Sequence, residues 1–215
     1  MTQTVKFPSS IGESSGAFAA PAGVVVVQEW WGVNDQIKSL VKRWADAGFL
    51  AIAPDLYHGK VVPIGQSDEA QQAMSSLDFG KAVQEIAGAV ELLRARGCEK
   101  IAVTGYCMGG ALSLAAAVNV RGLACVVPYY GLPGDLDWSK VDAPVQAHFA
   151  TKDEWATVAG AEEIKAAVTV PMELHVYEAQ HAFCNDRRPE VYDAEAANLS
   201  WERTLAFVRK HTHTA

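Results

Sequence analysis

Ile101-Ala102-Val103-Thr104-Gly105-Tyr106-Cys107-Met108-Gly109-Gly110-Ala111-Leu112-Ser113-Leu114-Ala115-Ala116-Ala117 is the stretch that decides the fold. Its first four residues are a short apolar run, its middle is a glycine-rich turn, and its end is an apolar helical run. A short apolar run bounded by turn residues reads as a strand buried on both faces, as in a parallel sheet. The glycines around Cys107 let the chain turn sharply and let strand and helix approach closely.

The same strand signal recurs on either side. It appears at Val24-Val25-Val26-Val27, Phe49-Leu50-Ala51-Ile52-Ala53 and Leu123-Ala124-Cys125-Val126-Val127, and again at residues 145–150 and 172–177. Between these runs lie helical patterns at residues 34–47, 78–96, 108–119, 156–168 and 189–210. Such alternation predicts an α/β fold, a mostly parallel, doubly wound sheet with right-handed crossovers and helices on both faces. Residues 5–8 and 16–20 predict a short antiparallel hairpin at one edge. The small-residue stretch 9–22 is too short for a linker, so the 215 residues read as one domain, 1–215.

Half of the residues are hydrophobic and a fifth are charged, the balance of a chain that can bury a sizeable core. A formal charge of -7 offers no footprint for nucleic acid or an anionic membrane surface. Residues 1–8 lack the basic stretch and apolar run of a signal peptide, and no apolar segment approaches the roughly 18 residues that span a bilayer. The expectation is a soluble cytoplasmic protein, monomeric or weakly homo-oligomeric, with no nucleic-acid or membrane partner. Cys98, Cys107, Cys125 and Cys184 form no CxxC pair, so neither a metal site nor a disulfide framework is expected, and no cofactor is implied.

In open α/β sheets, ligands bind beyond the carboxyl ends of the strands. Gly105-Tyr106-Cys107-Met108-Gly109-Gly110 is a nucleophile-elbow pattern with cysteine in place of serine. A thiol at a helix amino terminus meets unpaired N–H groups and the positive end of the dipole, both of which favour a thiolate. The backbone N–H of Met108 would be one oxyanion donor. The motif alone reads equally well as a tight turn over a buried cysteine, a residue type often found in cores.

The downstream partners decide between these readings. An elbow enzyme needs an acid and then a histidine, each in the loop after a later strand. The 145–150 strand is followed by Thr151-Lys152-Asp153-Glu154, and the 172–177 strand by Glu178-Ala179-Gln180-His181. Asp153 is the predicted orienter of His181, while Glu154 begins a helix or faces solvent. His148 and His175 fall inside strands and read as core or edge residues, and His211 and His213 lie in a polar tail where solvent is the default. Cys98 reads as a turn residue and Cys125 as core. Cys184 is either a second thiol at the mouth of the site or a packing residue. Trp30, Trp31, Tyr57, Tyr129 and Tyr130 suggest an aromatic-walled pocket, with ordinary core packing as the alternative.

These residues resemble the dienelactone hydrolase (carboxymethylenebutenolidase) family of the α/β-hydrolase superfamily through most of the chain. The likeness rests on Gln28-Glu29-Trp30-Trp31-Gly32, Ala53-Pro54-Asp55-Leu56-Tyr57, Gly105-Tyr106-Cys107-Met108-Gly109-Gly110, Tyr129-Tyr130-Gly131, Asp153, His181-Ala182-Phe183 and Trp201-Glu202-Arg203-Thr204-Leu205-Ala206-Phe207. It implies a cysteine-dependent hydrolase of small esters or lactones that works through an acyl-thioester, with Cys107, Asp153 and His181 as the triad. It also implies that Glu29 takes the thiol's proton and that the Trp30 N–H is the second oxyanion donor. Without the resemblance, Glu29 reads as well as a loop residue capping the next helix.

Family members hold a substrate carboxylate with two arginines, one shortly after the Asp-Leu-Tyr motif and one four residues after the histidine. Here those neighbourhoods read Tyr57-His58-Gly59-Lys60 and Phe183-Cys184-Asn185-Asp186-Arg187-Arg188, and neither matches. Candidate substrate-binding residues are therefore Trp31, Tyr57, His58, Lys60, Tyr129 and Arg187, with Arg188 as a further cation nearby. Two other readings stand beside the hydrolase: a thiol-based redox or small-molecule-binding protein on the same fold, and a catalytically silent scaffold.

Overall fold

A computed structural model describes residues 22–212. The predicted edge hairpin at 5–8 and 16–20, and His213, lie outside the described residues. Six strands form one sheet: β1 (Gly23–Val27), β2 (Leu50–Ile52), β3 (Ile101–Tyr106), β4 (Cys125–Tyr129), β5 (Val145–Lys152) and β6 (Met172–Gln180). The order is β2-β1-β3-β4-β5-β6 and every neighbouring pair is parallel. From β1 the chain steps outward to β2, then returns to β3 and steps the other way. The crevice between the carboxyl ends of β1 and β3 is therefore the switch point where such sheets bind ligands.

Strand alternation divides the core into two layers. Val24, Val26, Tyr106 and Val127 face α1 (Asp35–Asp46) and α6 (Ala194–Thr212). Val25, Val27, Val103 and Val126 face α3 (Phe79–Ala95) and α4 (Met108–Asn119), and Ile164 of α5 (Val158–Ala167) joins that layer. Side chains point alternately to the two faces of a strand, so a sheet covered on both sides needs apolar residues at successive positions. Helix starts follow local capping: Asn34, Asp78 and Thr157 each accept an N–H from the first turn of α1, α3 and α5. Residues 108–118 of α4 are all buried, which accounts for a helix that is apolar all round. Among the described residues, no helix is long and apolar enough to cross a membrane.

Several elements differ from the sequence expectation. The strand expected at 172–177 continues to Gln180, so that His181 follows directly on β6. The last helix starts at Ala194 instead of 189, where Asp193 Oδ1 accepts the Ala196 N–H at 2.9 Å, and it runs on to Thr212. His211 is consequently a residue of the final helical turn, its ring 4.5 Å from that of Phe207, and not part of a solvated tail. Helix α2 (Ser67–Ser75) was not anticipated; only Ala70 is buried in it, so it carries no apolar periodicity to read.

A buried polar chain links the sheet to α6. His148 Nδ1 lies 2.8 Å from Tyr177 Oη, its Nε2 lies 2.9 Å from Thr204 Oγ1, and Thr204 Oγ1 meets Tyr129 Oη at 2.6 Å. Tyr129 thus belongs to the core, stacked on His148, and touches only a cavity it shares with Tyr106 and Ser200. Burial, with help from the nearby His175 and Arg203, holds His148 well below the ordinary imidazole range. Below about pH 6.5 the unfolded chain therefore binds a proton on His148 that the folded chain does not, and the contribution of this residue to stability falls as the pH drops. Denaturant titrations at descending pH should show this acid-side loss, and His148→Gln should flatten that slope even if it lowers stability at neutral pH.

Candidate active site

Cys107 sits between β3 and α4 with φ 56° and ψ -119°, a conformation that costs a non-glycine residue about 1–3 kcal/mol. Its surroundings explain how it is held. The Cys107 N–H donates to Tyr129 O at 3.1 Å, and Cys107 O accepts from Gly110 and Ala111 N–H at 2.9 and 3.2 Å. The glycines answer to close approach: a Cβ at Gly105 would collide with Gly109 O, one at Gly109 with Val27 O and Gln28 O, and one at Gly110 with Tyr129 O. Gly131 is under the same constraint, since its Cβ would meet Cys107 O. The Gly-x-Cys-x-Gly-Gly spacing is thus imposed by α4 pressing its first turn against β1 and β4.

The carboxyl ends of β5 and β6 bring the next two groups together. His181 Nδ1 lies 2.7 Å from Asp153 Oδ2, and the Asp153 side chain is fully buried. Asp153 Oδ1 accepts the N–H groups of Trp155 at 2.8 Å and Ala156 at 2.9 Å, which fixes the carboxyl group on its loop. Burial by itself would pull the His181 value down. The hydrogen bonds to Asp153 and Cys107 and the charges of both outweigh it, and His181 is pushed up to about 10. A hydrogen-bonded opposite charge favours the cationic form, so at neutral pH the proton resides on the ring.

Glu29, two residues beyond β1, is 1% exposed. Its Oε2 accepts from Asn185 Nδ2 at 2.7 Å and its Oε1 from Tyr130 Oη at 3.3 Å. Burial raises its carboxyl above the usual range, opposed by the Asn185 bond, by the charges of His181 and Arg188, and by the Tyr130 bond. Glu29, Trp30, Cys107 and His181 line one cleft of about 610 Å³ at the switch point, together with Met74 of α2, Trp155 and Arg188.

The remaining predicted binding residues lie elsewhere. Trp31 is 1% exposed and packs with Val62 and Ala70, so it does not wall the cleft. Tyr57 places its hydroxyl 3.5 Å from Met108 Sδ and lines a neighbouring groove with His58 and Lys60. There His58 faces Glu85 at 3.5 Å and Lys60 pairs with Glu69 at 2.9 Å. Arg187 lies beside Asp186, at 3.6 Å, and of the two neighbouring arginines it is Arg188 that reaches the cleft. Cys184 is not at the mouth: it lines a separate cavity with Tyr106 and Ser200, where burial pushes its thiol up to about 12. Sequence reading did not find Trp155, Lys152, Met74 or the role of Asn185. For Asn185 a signal existed, since a position expected to hold a charge carried an amide that can only hydrogen-bond.

The chain is similar to known proteins along nearly its whole length. The model of the dienelactone hydrolase family matches residues 8–212. "Protein usf" of Aquifex pyrophilus is 32% identical over 98% of this chain and 99% of its own length. "Carboxymethylenebutenolidase 1" of Cupriavidus pinatubonensis is 31% identical over 89% of this chain and 91% of its own. The crystal structure of a "Putative Dienelactone Hydrolase" from Klebsiella pneumoniae superposes with a TM-score of 0.83 at 27% identity, covering 91% of this chain and 90% of that one.

The His181–Asp153 pair can be tested without any substrate. In Asp153→Asn the loop N–H groups keep an oxygen acceptor, but the charge that holds the proton on His181 is gone. NMR titration of the His181 ring should show it cationic through neutral pH in the wild type and titrating well below about 10 in the variant. A ring whose titration is unchanged would mean that Asp153 does not govern it.

Proposed function

The chain belongs to the dienelactone hydrolase family, and from that premise we propose that it hydrolyses small esters or lactones with Cys107 as the nucleophile. The observation that carries this reading is the placement of Cys107 on a strained elbow in one cleft with His181, whose Nδ1 is held by Asp153 at 2.7 Å. Cys107 Sγ attacks the carbonyl carbon, and the carbonyl oxygen, now negative, accepts the N–H groups of Met108 and Trp30. The carbon–oxygen bond to the leaving group then breaks, the leaving oxygen takes the proton held by His181, and an acyl-thioester remains. Water, giving its proton to His181, attacks the thioester and releases the acid and the Cys107 thiolate.

Glu29 is the proposed acceptor of the thiol proton. Its burial supports that role, because a carboxylate held above its usual range is a better base than one in water. Asn185 and Tyr130 position it by taking both of its oxygens. Once protonated, Glu29 places no second negative charge beside the thiolate.

Intact-mass measurement after exposure to p-nitrophenyl acetate should reveal one added acetyl group on the wild type and none on Cys107→Ala. Turnover by Cys107→Ala should fall by at least about a thousandfold. Equal turnover by the two proteins, or wild-type turnover with an acetyl group on another residue, would remove Cys107 from the role.

A further inference from the structure

Trp155 is 68% exposed, the most open large apolar side chain among the described residues, and it borders the reaction cleft. Its ring centroid lies 6.4 Å from that of His181 and 5.8 Å from that of Trp30. The indole is not on a loose loop, because the Trp155 backbone N–H is one of the two that donate to Asp153 Oδ1. Met74 and Val191 add apolar surface to the same cleft. An exposed aromatic fixed beside a reacting group is surface that a ligand can cover, and aromatic rings pair favourably in edge-on or offset geometry.

Charge narrows the ligand further. Two side-chain cations besides His181 line the cleft, and each already has a carboxylate partner: Lys152 Nζ meets Glu178 at 3.0 Å and Arg188 Nε meets Glu190 at 2.9 Å. Asp68, Glu154 and Glu29 line the same space. A substrate carboxylate would have to share these cations with Glu178 or Glu190 and lie among further acids. Single exposed pairs hold weakly, so the exclusion comes from the summed acidic surroundings.

We infer that the preferred substrate is an uncharged ester whose leaving group carries an aromatic ring, bound against Trp155. This rests on the assignment of Cys107 as nucleophile and of His181 as proton donor to the leaving oxygen. That donation puts the leaving group on the His181 side of the cleft, where Trp155 stands.

The test compares phenyl acetate, 4-acetoxybenzoate and 2,2,2-trifluoroethyl acetate. The first two release phenols of similar basicity and differ mainly in charge; the third has an activated leaving group without a ring. The wild type should favour phenyl acetate over 4-acetoxybenzoate by about tenfold in kcat/KM. Trp155→Ala should lower kcat/KM for phenyl acetate by about tenfold, chiefly through KM, and change trifluoroethyl acetate less than about twofold, while Trp155→Phe keeps most of the phenyl acetate rate. Glu190→Gln, which frees Arg188, should raise 4-acetoxybenzoate turnover several-fold with phenyl acetate unchanged. Equal or faster use of 4-acetoxybenzoate by the wild type, or equal losses on both uncharged esters in Trp155→Ala, overturns the inference and leaves the hydrolase assignment standing. Absence of Cys107-dependent turnover with all three esters overturns the assignment itself.

Discussion

The close seating of α4 against the ends of β1 and β4 is the contact from which the rest of the site follows. Backbone carbonyls of Val27, Gln28 and Tyr129 stand where side chains on Gly109 and Gly110 would be. Only glycine permits that approach, and the approach forces Cys107 into its positive-φ turn. Of the three other non-glycine residues with positive φ among the described residues, Tyr130 and Ala182 lie at the carboxyl ends of β4 and β6, and His58 lies in the loop after β2. Strain gathers where the strands end, and the close-packed layers beneath hold it there.

The parts of the molecule legible in the sequence are those written by period and punctuation. Buried parallel strands leave apolar runs, caps leave Asn34, Asp78 and Thr157, and the elbow leaves its glycines. Chain order was enough to pair Asp153 with His181, because both follow strands of one parallel sheet. Helix α2 escaped because a helix resting on the surface through Ala70 has no apolar stripe. The aromatic residues divided in a way that residue type could not foretell: Trp31 and Tyr129 went into the core, while Trp155, in a polar loop sequence, stayed open at the cleft. Arg187 and Arg188 are adjacent and chemically alike, and of the two only Arg188 lines the cleft, a difference that residue type does not carry.

Electrostatically the cleft is a place where burial and pairing oppose one another. Burial acts against the charged form of both His181 and Glu29, yet His181 remains cationic because its interactions with Asp153 and Cys107 outweigh the lost water. Glu29 has only neutral hydrogen-bond donors and more distant cations, and burial prevails. Two titratable groups in one cleft are thereby pushed in the same direction, toward holding protons, by different causes.

Asp153 divides its carboxyl group between two tasks, one oxygen on the histidine ring and the other on the backbone of the loop that carries Trp155. The anchoring of that loop uses main-chain N–H groups, which every residue except proline possesses. The side chain at position 155 is therefore separable from the geometry that orients His181. A lineage, or an engineer, can exchange the wall of the cleft at that position and leave the proton-handling apparatus where it stands, much as a tool holder accepts different bits.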